Sequence, residues 1–298
     1  MKKVTFDLID QCNLKCPSCY HSVYGGSGQR MTLETCRTIL THAKQLGAEL
    51  VNPFNWGEPL LHKELPQFLE LFQSFKLRVM LSSNLTIKVK DPVLEAILQH
   101  ADILSVSASG LTQQVYERYH KGGQIADVLE NLDRLLTLKQ KMGSQTKFIW
   151  LFGVNRFNRH EAPDIHAYCE ARGISFVPTR YYITAIDDIL RLIDTPELVD
   201  PSIWDPIFES AQDARQAIEA SLTPNRCRLL HDLVYHVDGR LLTCCATKVV
   251  LDDPLTSVQN LDQLAQVRLN NDFCKNCFHN GFSEHFFVDG AAKLKAQG

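Results

Sequence analysis

The sequence predicts an α/β fold, a partial (βα)6 TIM-like barrel followed by a small C-terminal domain built from a β-hairpin and helix. Two observations predict the barrel. Short apolar runs of strand length alternate with amphipathic helical stretches over roughly the first 180 residues. Strands separated by helices form parallel βαβ units with right-handed crossovers, and six such units fall short of the eight in a closed barrel. The alternation fails from about residue 187, which predicts a boundary there.

The elements of the barrel each have a local signal. Strands are predicted at residues 4–9, 50–56, 77–83, 103–107, 148–154 and 174–177, where apolar and β-branched residues dominate. Helices are predicted at residues 32–45, 64–75, 92–99, 114–139 and 162–172, where apolar residues recur at helical spacing. Thr32 is a suitable N-cap, Gly47 ends that helix, and Gly122-Gly123 predicts a break in the longest one.

The C-terminal third follows another pattern. Residues 188–213 are acidic and contain three prolines, which predicts a linker with a helix near residues 207–222. Two short runs joined at Asp238-Gly239 predict a β-hairpin over residues 234–243. A terminal helix is predicted around residues 291–296. The predicted domains are therefore residues 1–186, a linker and helix at 187–223, and a cysteine-bearing domain at 224–298.

Composition excludes several classes of protein. The chain has 298 residues, 45% hydrophobic and 22% charged, with a formal net charge of -3, so nothing in its charge favours nucleic acid or an anionic membrane. No apolar run approaches the roughly 20 residues of a membrane span, and Asp7 and Asp10 interrupt the N-terminal stretch where a signal peptide would be apolar. Ten cysteines without an export signal predict a reducing compartment, the cytoplasm.

Three of these cysteines lie on one loop, directly after the first predicted strand. Cys12, Cys16 and Cys19 have the spacing C-x3-C-x2-C. Thiolates select iron–sulfur clusters, zinc or copper(I). A [4Fe-4S] cluster ordinarily takes four cysteines, so a loop that offers three leaves one iron open. On spacing alone, a zinc knot with Cys36 or His21 as fourth ligand, a redox thiol group and buried small side chains are alternatives.

With Gly57-Glu58-Pro59 after the second strand, the chain resembles the radical S-adenosylmethionine (SAM) enzymes over most of its length. The resemblance implies a [4Fe-4S] cluster on the three cysteines, whose open iron binds the amino and carboxylate groups of SAM. Reductive cleavage of SAM then gives a 5′-deoxyadenosyl radical that abstracts a hydrogen atom from substrate. The chain departs from many members in one place, because Ser18 replaces an aromatic residue and the aromatic side chain is instead Tyr20.

The resemblance also implies a set of SAM contacts at the strand ends. Gly57-Glu58-Pro59 would contact the SAM amino group. Ser83, Asn84 and Ser107 end the third and fourth strands, and Asn155 is a weaker candidate beyond the fifth. Turn chemistry explains small polar residues at these positions equally well. A cation within residues 118–121 could pair with the SAM carboxylate, and a solvated helix end explains that stretch too.

A second group of cysteines lies in the C-terminal segment. Cys227, Cys244, Cys274 and Cys277 have the spacing C-x11-G-x4-C followed by C-x2-C, and Cys245 could replace Cys244. Spacing alone fits a zinc ribbon as well as a cluster. The segment resembles the Twitch domain, the shortened form of the SPASM domain. That resemblance implies one auxiliary [4Fe-4S] cluster, closed by four ligands and suited to electron transfer.

The predicted function is therefore a radical SAM enzyme that oxidises or rearranges a natural-product-type small polar metabolite, assisted by the auxiliary cluster. An external low-potential donor such as flavodoxin or ferredoxin is implied. One alternative is a maturase of a ribosomally made peptide that uses a separate leader-recognition partner; the chain begins directly with its first strand, which favours the metabolite. The other is a non-catalytic zinc-binding scaffold protein.

Overall fold

The computed structural model describes residues 2–180, 183–251 and 258–287. A fully parallel sheet organises it, with strands in the order β6-β5-β4-β3-β2-β1-β7. The strands are Lys3–Phe6 (β1), Leu50–Asn52 (β2), Arg78–Ser83 (β3), Ile103–Ser107 (β4), Lys147–Val154 (β5), Ser175–Arg180 (β6) and Leu233–Tyr235 (β7). Strands β1 to β6 pair in chain order and each is followed by a helix, which confirms the predicted partial barrel of six βα units.

Helices cover the outer face of the sheet and build its C-terminal extension. Those in the described residues are Tyr20–Tyr24 (α1), Leu33–Gln45 (α2), Leu65–Ser74 (α3), Asp91–His100 (α4), Gln113–Tyr119 (α5), Ile125–Met142 (α6), Ala162–Glu170 (α7), Ile186–Asp194 (α8), Pro201–Trp204 (α9), Ala211–Glu219 (α10), Leu261–Asn270 (α11) and Asp272–Asn280 (α12). None of them combines the length and the apolar character that crossing a membrane requires.

The strands present alternate residues to the helices and to the inside of the barrel. Val4 and Phe6 of β1 are fully buried on the helix side, where the Phe6 ring lies 6.0 Å from that of Phe72 in α3. Thr5 therefore faces the barrel interior. Because β1 to β6 run parallel, their carboxyl ends lie at one rim, and the loops that leave this rim carry the residues predicted to bind SAM and the first cluster.

Local sequence explains where the helices begin and break. The Thr32 hydroxyl accepts a hydrogen bond from the Thr35 N–H at 3.0 Å and caps α2, as predicted. The predicted break at Gly122-Gly123 separates α5 from α6. Gly122 has φ +86°, and a Cβ on Gly123 would lie 3.0 Å from the side chain of Leu14 in the cysteine loop. The break lets the chain pass closely over that loop.

The C-terminal segment is joined to the barrel by its own strand. Gly239 has φ +92° and allows the predicted turn, across which Tyr235 and Leu241 form an antiparallel bridge. The first arm of this hairpin is β7, which pairs in parallel with β1 and places Leu233 opposite Val4. The sequence pattern identified the turn but could not show that one arm extends the barrel sheet.

Residues 187–223, expected to be a linker with one helix, contain most of α8 together with α9 and α10. Helix α8 packs in an apolar cluster with Cys244 and Cys277, so it covers the second cysteine group. Helices α11 and α12 were not predicted individually. The helix predicted at residues 291–296 lies outside the described residues.

Candidate functional site

The first three cysteines lie together on the loop between β1 and α1. The Cys19 N–H donates to the Cys16 carbonyl at 3.0 Å, and Cys19 is the N-cap residue of α1. Burial raises the pKa of the Cys12 thiol to about 12 and that of Cys16 well above its ordinary value. Buried thiols ionise only when a cation compensates them, and iron would supply that charge. The Leu14 N–H points at the Cys12 sulfur at 3.5 Å, as a thiolate acceptor requires. These donors fit an iron–sulfur cluster.

His120 contacts the first cysteine loop at Cys16. Its Nδ1 lies 3.7 Å from the Cys16 sulfur, and its Nε2 accepts a hydrogen bond from the Ser109 N–H at 3.0 Å. Because Nε2 is the acceptor, the proton of the neutral ring is on Nδ1 and points at the sulfur. Burial lowers the pKa of His120 to about 3, so it is not the cation expected to meet the SAM carboxylate. Its contact with Cys16 was not predicted.

Asn84 joins the end of β3 to the cysteine loop. Its Nδ2 donates to Asn13 Oδ1 at 3.0 Å and lies 3.7 Å from the Cys12 sulfur. Its Oδ1 accepts from the Thr86 N–H at 3.0 Å and from the Thr86 hydroxyl at 2.7 Å. The side chain predicted to contact SAM thus contacts the first cysteine loop at Cys12 and Asn13.

Asp7 holds the loop after β2, a role that the sequence analysis did not predict. Its Oδ1 accepts hydrogen bonds from the N–H groups of Asn55, Trp56 and Gly57 at 2.7, 2.9 and 2.8 Å. Burial raises its pKa, against the opposing effect of these bonds. A Cβ on Gly57 would lie 1.9 Å from the Ile9 carbonyl oxygen, so glycine is required by the backbone of the first loop. The feature of the sequence that could have indicated this role was an acidic residue inside the apolar run at residues 4–9.

Glu58 is turned into the protein, where its carboxylate joins two strand ends. Oε1 accepts from the Ser83 hydroxyl at 2.7 Å and from the Leu60 N–H at 3.0 Å, and Oε2 accepts from the Asn84 N–H at 2.8 Å. Burial raises the pKa of Glu58 to about 7, against these three bonds. Pro59 starts the short 3-10 helix Pro59–Leu61. Contact between these residues and SAM stays a prediction.

The two other predicted positions differ in their surroundings. Ser107 ends β4 and is partly exposed at the rim. Asn155 is buried beyond β5, where its Oδ1 accepts from the Phe157 N–H at 2.9 Å and closes a local turn. Their contact with SAM also remains a prediction. Tyr20, the aromatic residue that directly follows the third cysteine, packs against Trp56 with ring centroids 5.4 Å apart.

The second cysteine group surrounds one small enclosed cavity. Cys227, Cys244, Cys274 and Cys277 all line it, whereas Cys245 lines a different cavity inside the barrel. Cys274 and Cys277 lie three residues apart on α12 and so share a face of that helix. The Ala246 N–H points at the Cys244 sulfur at 3.4 Å.

Arg268 lines the same cavity and was missed by the sequence analysis. It is 1% exposed and lies on α11. Burial lowers the pKa of its guanidinium, which the neighbouring cysteines oppose. The signal in the sequence was an arginine at helical spacing from Leu261 and Leu264, on the apolar face of α11.

The donor set at this cavity fits a cluster better than a single ion. Zinc bound by four cysteines holds each sulfur at about 2.3 Å, which brings the sulfurs into mutual contact. Among the described residues, no three His, Cys, Asp or Glu side chains converge as one metal ion requires. In a [4Fe-4S] cluster each cysteine binds a different iron, so four thiols around a shared cavity suit it. The suggested extra zinc ligands for the first loop are also engaged elsewhere: His21 pairs with Asp10 at 3.1 Å, and Cys36 is buried in α2.

Asp10 connects the cysteine loop to the C-terminal segment. Its carboxylate pairs with His21 and Lys248, and it accepts from the N–H and hydroxyl of Ser27, both at 2.8 Å. Burial alone would raise the pKa of Asp10, but these partners outweigh it and hold the pKa well below its usual range. Lys248 follows Cys244 by four positions, so this buried charge pair ties the two cysteine sites together.

A cavity of about 400 Å³ lies on the interior side of β1 and β2. Its lining combines β1, β2, the loop after β2 and the segment beside Cys244, through Lys3, Thr5, Asn52, Phe54, Asn55, Trp56, Thr184, Leu229, Cys245 and Ala246. Two of its polar atoms, Asn52 Oδ1 and Trp56 Nε1, are buried without a hydrogen-bond partner in the described part of the chain.

The family follows from the sequence of the barrel. The family model of the radical SAM superfamily matches residues 7–166, more than half of the chain, and spans the cysteine loop and the loop of Glu58. The chain belongs to the radical SAM superfamily. The predicted family, fold class and enzymatic character are thereby confirmed, and the non-catalytic alternative is set aside.

Solved structures of radical SAM proteins have a similar fold. SuiB from Streptococcus suis, bound to precursor peptide SuiA, superposes with a TM-score of 0.60 at 16% identity, covering 95% of this chain and 70% of that chain. Histidine-tagged anSMEcpe with bound AdoMet gives a TM-score of 0.57 at 14% identity, covering 99% of this chain and 83% of that chain. At these identities the likeness establishes the fold.

Proposed function

We propose that this radical SAM enzyme carries a second, auxiliary [4Fe-4S] cluster and oxidises a small polar metabolite. The observation that carries the proposal is a cavity lined both by the loop before Gly57-Glu58-Pro59 and by the segment beside Cys244. Trp56, adjacent to Gly57-Glu58-Pro59, lines one side of the cavity, and Cys245, adjacent to Cys244, lines another. A substrate in this cavity would contact residues that adjoin both sites in the sequence.

The residues of each site have distinct tasks. Cys12, Cys16 and Cys19 would hold the first cluster, which together with SAM supplies an acceptor for a substrate hydrogen atom. Cys227, Cys244, Cys274 and Cys277 would hold the second. After the substrate gives up a hydrogen atom, the second cluster would supply an acceptor for one further electron and solvent would take the proton. The substrate would then lose two electrons and two protons in all, a two-electron oxidation. Ser83, Asn84, Ser107 and Asn155 remain the proposed polar contacts to SAM.

The size and lining of the barrel cavity favour a small polar substrate. A volume of about 400 Å³ lies in the range of small-molecule sites. Thr5, Asn52 and Asn55 contribute polar side chains to its lining. The competing proposal is a peptide substrate delivered by a separate leader-recognition partner. SuiB is bound to a precursor peptide, and the likeness to SuiB is one of fold.

A flavodoxin or ferredoxin is the proposed electron donor. Exposed Lys15 and Lys121 lie beside the first cysteine loop, where the Lys15 N–H donates to the Lys121 carbonyl at 3.0 Å. With Arg191 they line a surface groove that also contains Asp200. The excess of positive charge supports docking of an acidic electron carrier near Cys16. The cytoplasm is the proposed compartment, because ten free cysteines require reducing surroundings.

Anaerobic turnover tests the function. Purified protein with reconstituted clusters, SAM and dithionite should form 5′-deoxyadenosine, and Cys16→Ala should abolish it. Cys169→Ala, which changes a buried cysteine of α7, is the matched control and should retain activity. A panel of cyclitols and amino sugars should accelerate product formation, while a panel of short peptides should not. Acceleration by peptides alone would transfer the assignment to the competing proposal.

A further inference from the structure

Arg268 is a buried cation whose hydrogen bonds all go to neutral groups. Its two terminal nitrogens donate to main-chain carbonyls at 2.6 to 3.3 Å, those of Leu229, Leu230, Asp232 and Leu242. These carbonyls precede Cys244 by two residues or follow Cys227 by two to five. The guanidinium therefore joins the two segments that carry those cysteines.

The charge of Arg268 has no carboxylate partner among the described residues. The Asp232 carboxylate acts on this charge from a greater distance and is itself paired with Lys3 at 3.3 Å. The Nε–H group of Arg268 is buried and has no hydrogen-bond acceptor in the described part of the chain. A buried charge without a counter-ion is strongly unfavourable, so a fold that retains one supplies its counter-charge elsewhere.

The cavity beside Arg268 offers that counter-charge. Four cysteines and Arg268 line the same enclosed space. Four thiolates on a cluster bring more negative charge than its core brings positive, and each added electron increases the excess. Net charge and hydrogen bonds to the sulfurs set the potential of an iron–sulfur cluster.

We propose that Arg268 is the counter-ion of the auxiliary cluster and raises its reduction potential, so that it can accept an electron from the substrate. This inference rests on the proposed second cluster. The guanidinium stabilises the reduced form more than the oxidised form, because reduction adds negative charge beside it. Through its carbonyl bonds Arg268 also positions Cys227 and Cys244.

The test uses the full chain with Cys12, Cys16 and Cys19 all changed to alanine, so that the second cluster is observed alone. In this background, a redox titration followed by EPR compares Arg268→Gln with Arg268→Lys. Arg268→Gln should lower the equilibrium constant for reduction at least tenfold, which is about 59 mV for a one-electron couple. Arg268→Lys should keep this equilibrium constant within tenfold of that of the triple-alanine protein. Arg226→Gln, next to Cys227 but exposed and paired with Glu284, is the matched control and should not shift it.

The outcomes separate the two proposals. Absence of any iron from the triple-alanine protein would overturn the second cluster and Arg268's role together. A second cluster whose potential is the same in the triple-alanine protein, in Arg268→Gln and in Arg268→Lys would overturn only the role of Arg268. Equal shifts in Arg268→Gln and Arg268→Lys would do the same.

A second measurement applies if Arg268→Gln fails to fold. The triple-alanine protein, with Arg268 intact, is then produced with arginine labelled with nitrogen-15. Pulsed EPR should then detect coupling between that nitrogen and the reduced cluster, lost in Arg268→Lys. Absence of coupling would refute the proposal.

Discussion

The Nδ1 atom of His120 lies 3.7 Å from the sulfur of Cys16, while the opposite ring nitrogen accepts a hydrogen bond from the Ser109 main chain. The backbone bond fixes the tautomer, and the tautomer places an N–H on the sulfur. An imidazole that follows α5 in the chain thus reaches the cysteine loop that follows β1. Hydrogen bonds to ligand sulfurs raise the potential of a cluster.

His120→Phe keeps a ring of similar size and removes both nitrogens. We expect the first cluster to become harder to reduce by about tenfold in its equilibrium constant, near 59 mV. The rate of 5′-deoxyadenosine formation should fall in parallel. EPR-monitored redox titration measures the potential, and His100→Phe, near the protein surface at the end of α4, is the control. An unchanged potential would show that the contact is packing alone.

Asp7→Asn tests the anchor of the loop that carries Glu58. The substitution keeps one acceptor oxygen but removes the charge that accepts three main-chain N–H bonds, so we expect unfolding free energy to fall by about 2 kcal/mol. SAM affinity should fall as well, since the loop loses its position beside the cysteines. Chemical denaturation and isothermal titration with SAM measure the two effects. Asp164→Asn, on the exposed face of α7, should change neither.

Glu58 should make stability depend on pH. Its ordinary pKa is 4.5, and burial raises it to about 7 in the folded chain. Between these values the folded state holds a proton that the unfolded state has lost, so the stabilising contribution falls as pH rises through this window. The difference in unfolding free energy between the native chain and Glu58→Gln should shrink by a figure on the order of 3 kcal/mol from pH 4.5 to pH 7. Denaturant titrations across this range measure it, and a flat difference would mean that the carboxyl ionises normally.

Cys244 and Cys245 should behave differently although they are adjacent. Only Cys244 lines the cavity of the other three cysteines. We expect Cys244→Ala to lose the iron of the second cluster and Cys245→Ala to retain it. Iron and sulfide analysis of both purified variants decides between them, and the reverse pattern would reassign the ligand.

The barrel could be predicted from the sequence because its signals are local. Alternating apolar runs and helical spacing, with the break at Gly122-Gly123, depend on neighbouring residues alone. The first strand was predicted over residues 4–9 but ends at Phe6, and the next residue, Asp7, accepts hydrogen bonds from the loop after β2 through its side chain. No local pattern reveals a partner almost 50 positions away.

The features of the site that could not be predicted from the sequence also depend on contacts between distant residues. Cysteine spacing identified both groups of cysteines but could not distinguish Cys244 from Cys245 as the fourth member of the second group. Which of the two side chains faces the other three cysteines depends on how α8 and α12 pack. The pairing of β7 with β1 depends on contacts more than two hundred residues apart. Arg268 resembled an ordinary charged residue of a surface helix until its burial beside the cysteines was seen.

Whether this enzyme holds two clusters is decided most directly by the metal content of the chain with Cys12, Cys16 and Cys19 changed to alanine, purified without oxygen. That protein should hold about four iron atoms and four sulfides, with the Mössbauer signature of one [4Fe-4S] cluster. A colourless protein holding stoichiometric zinc, or no metal, would contradict the two-cluster enzyme.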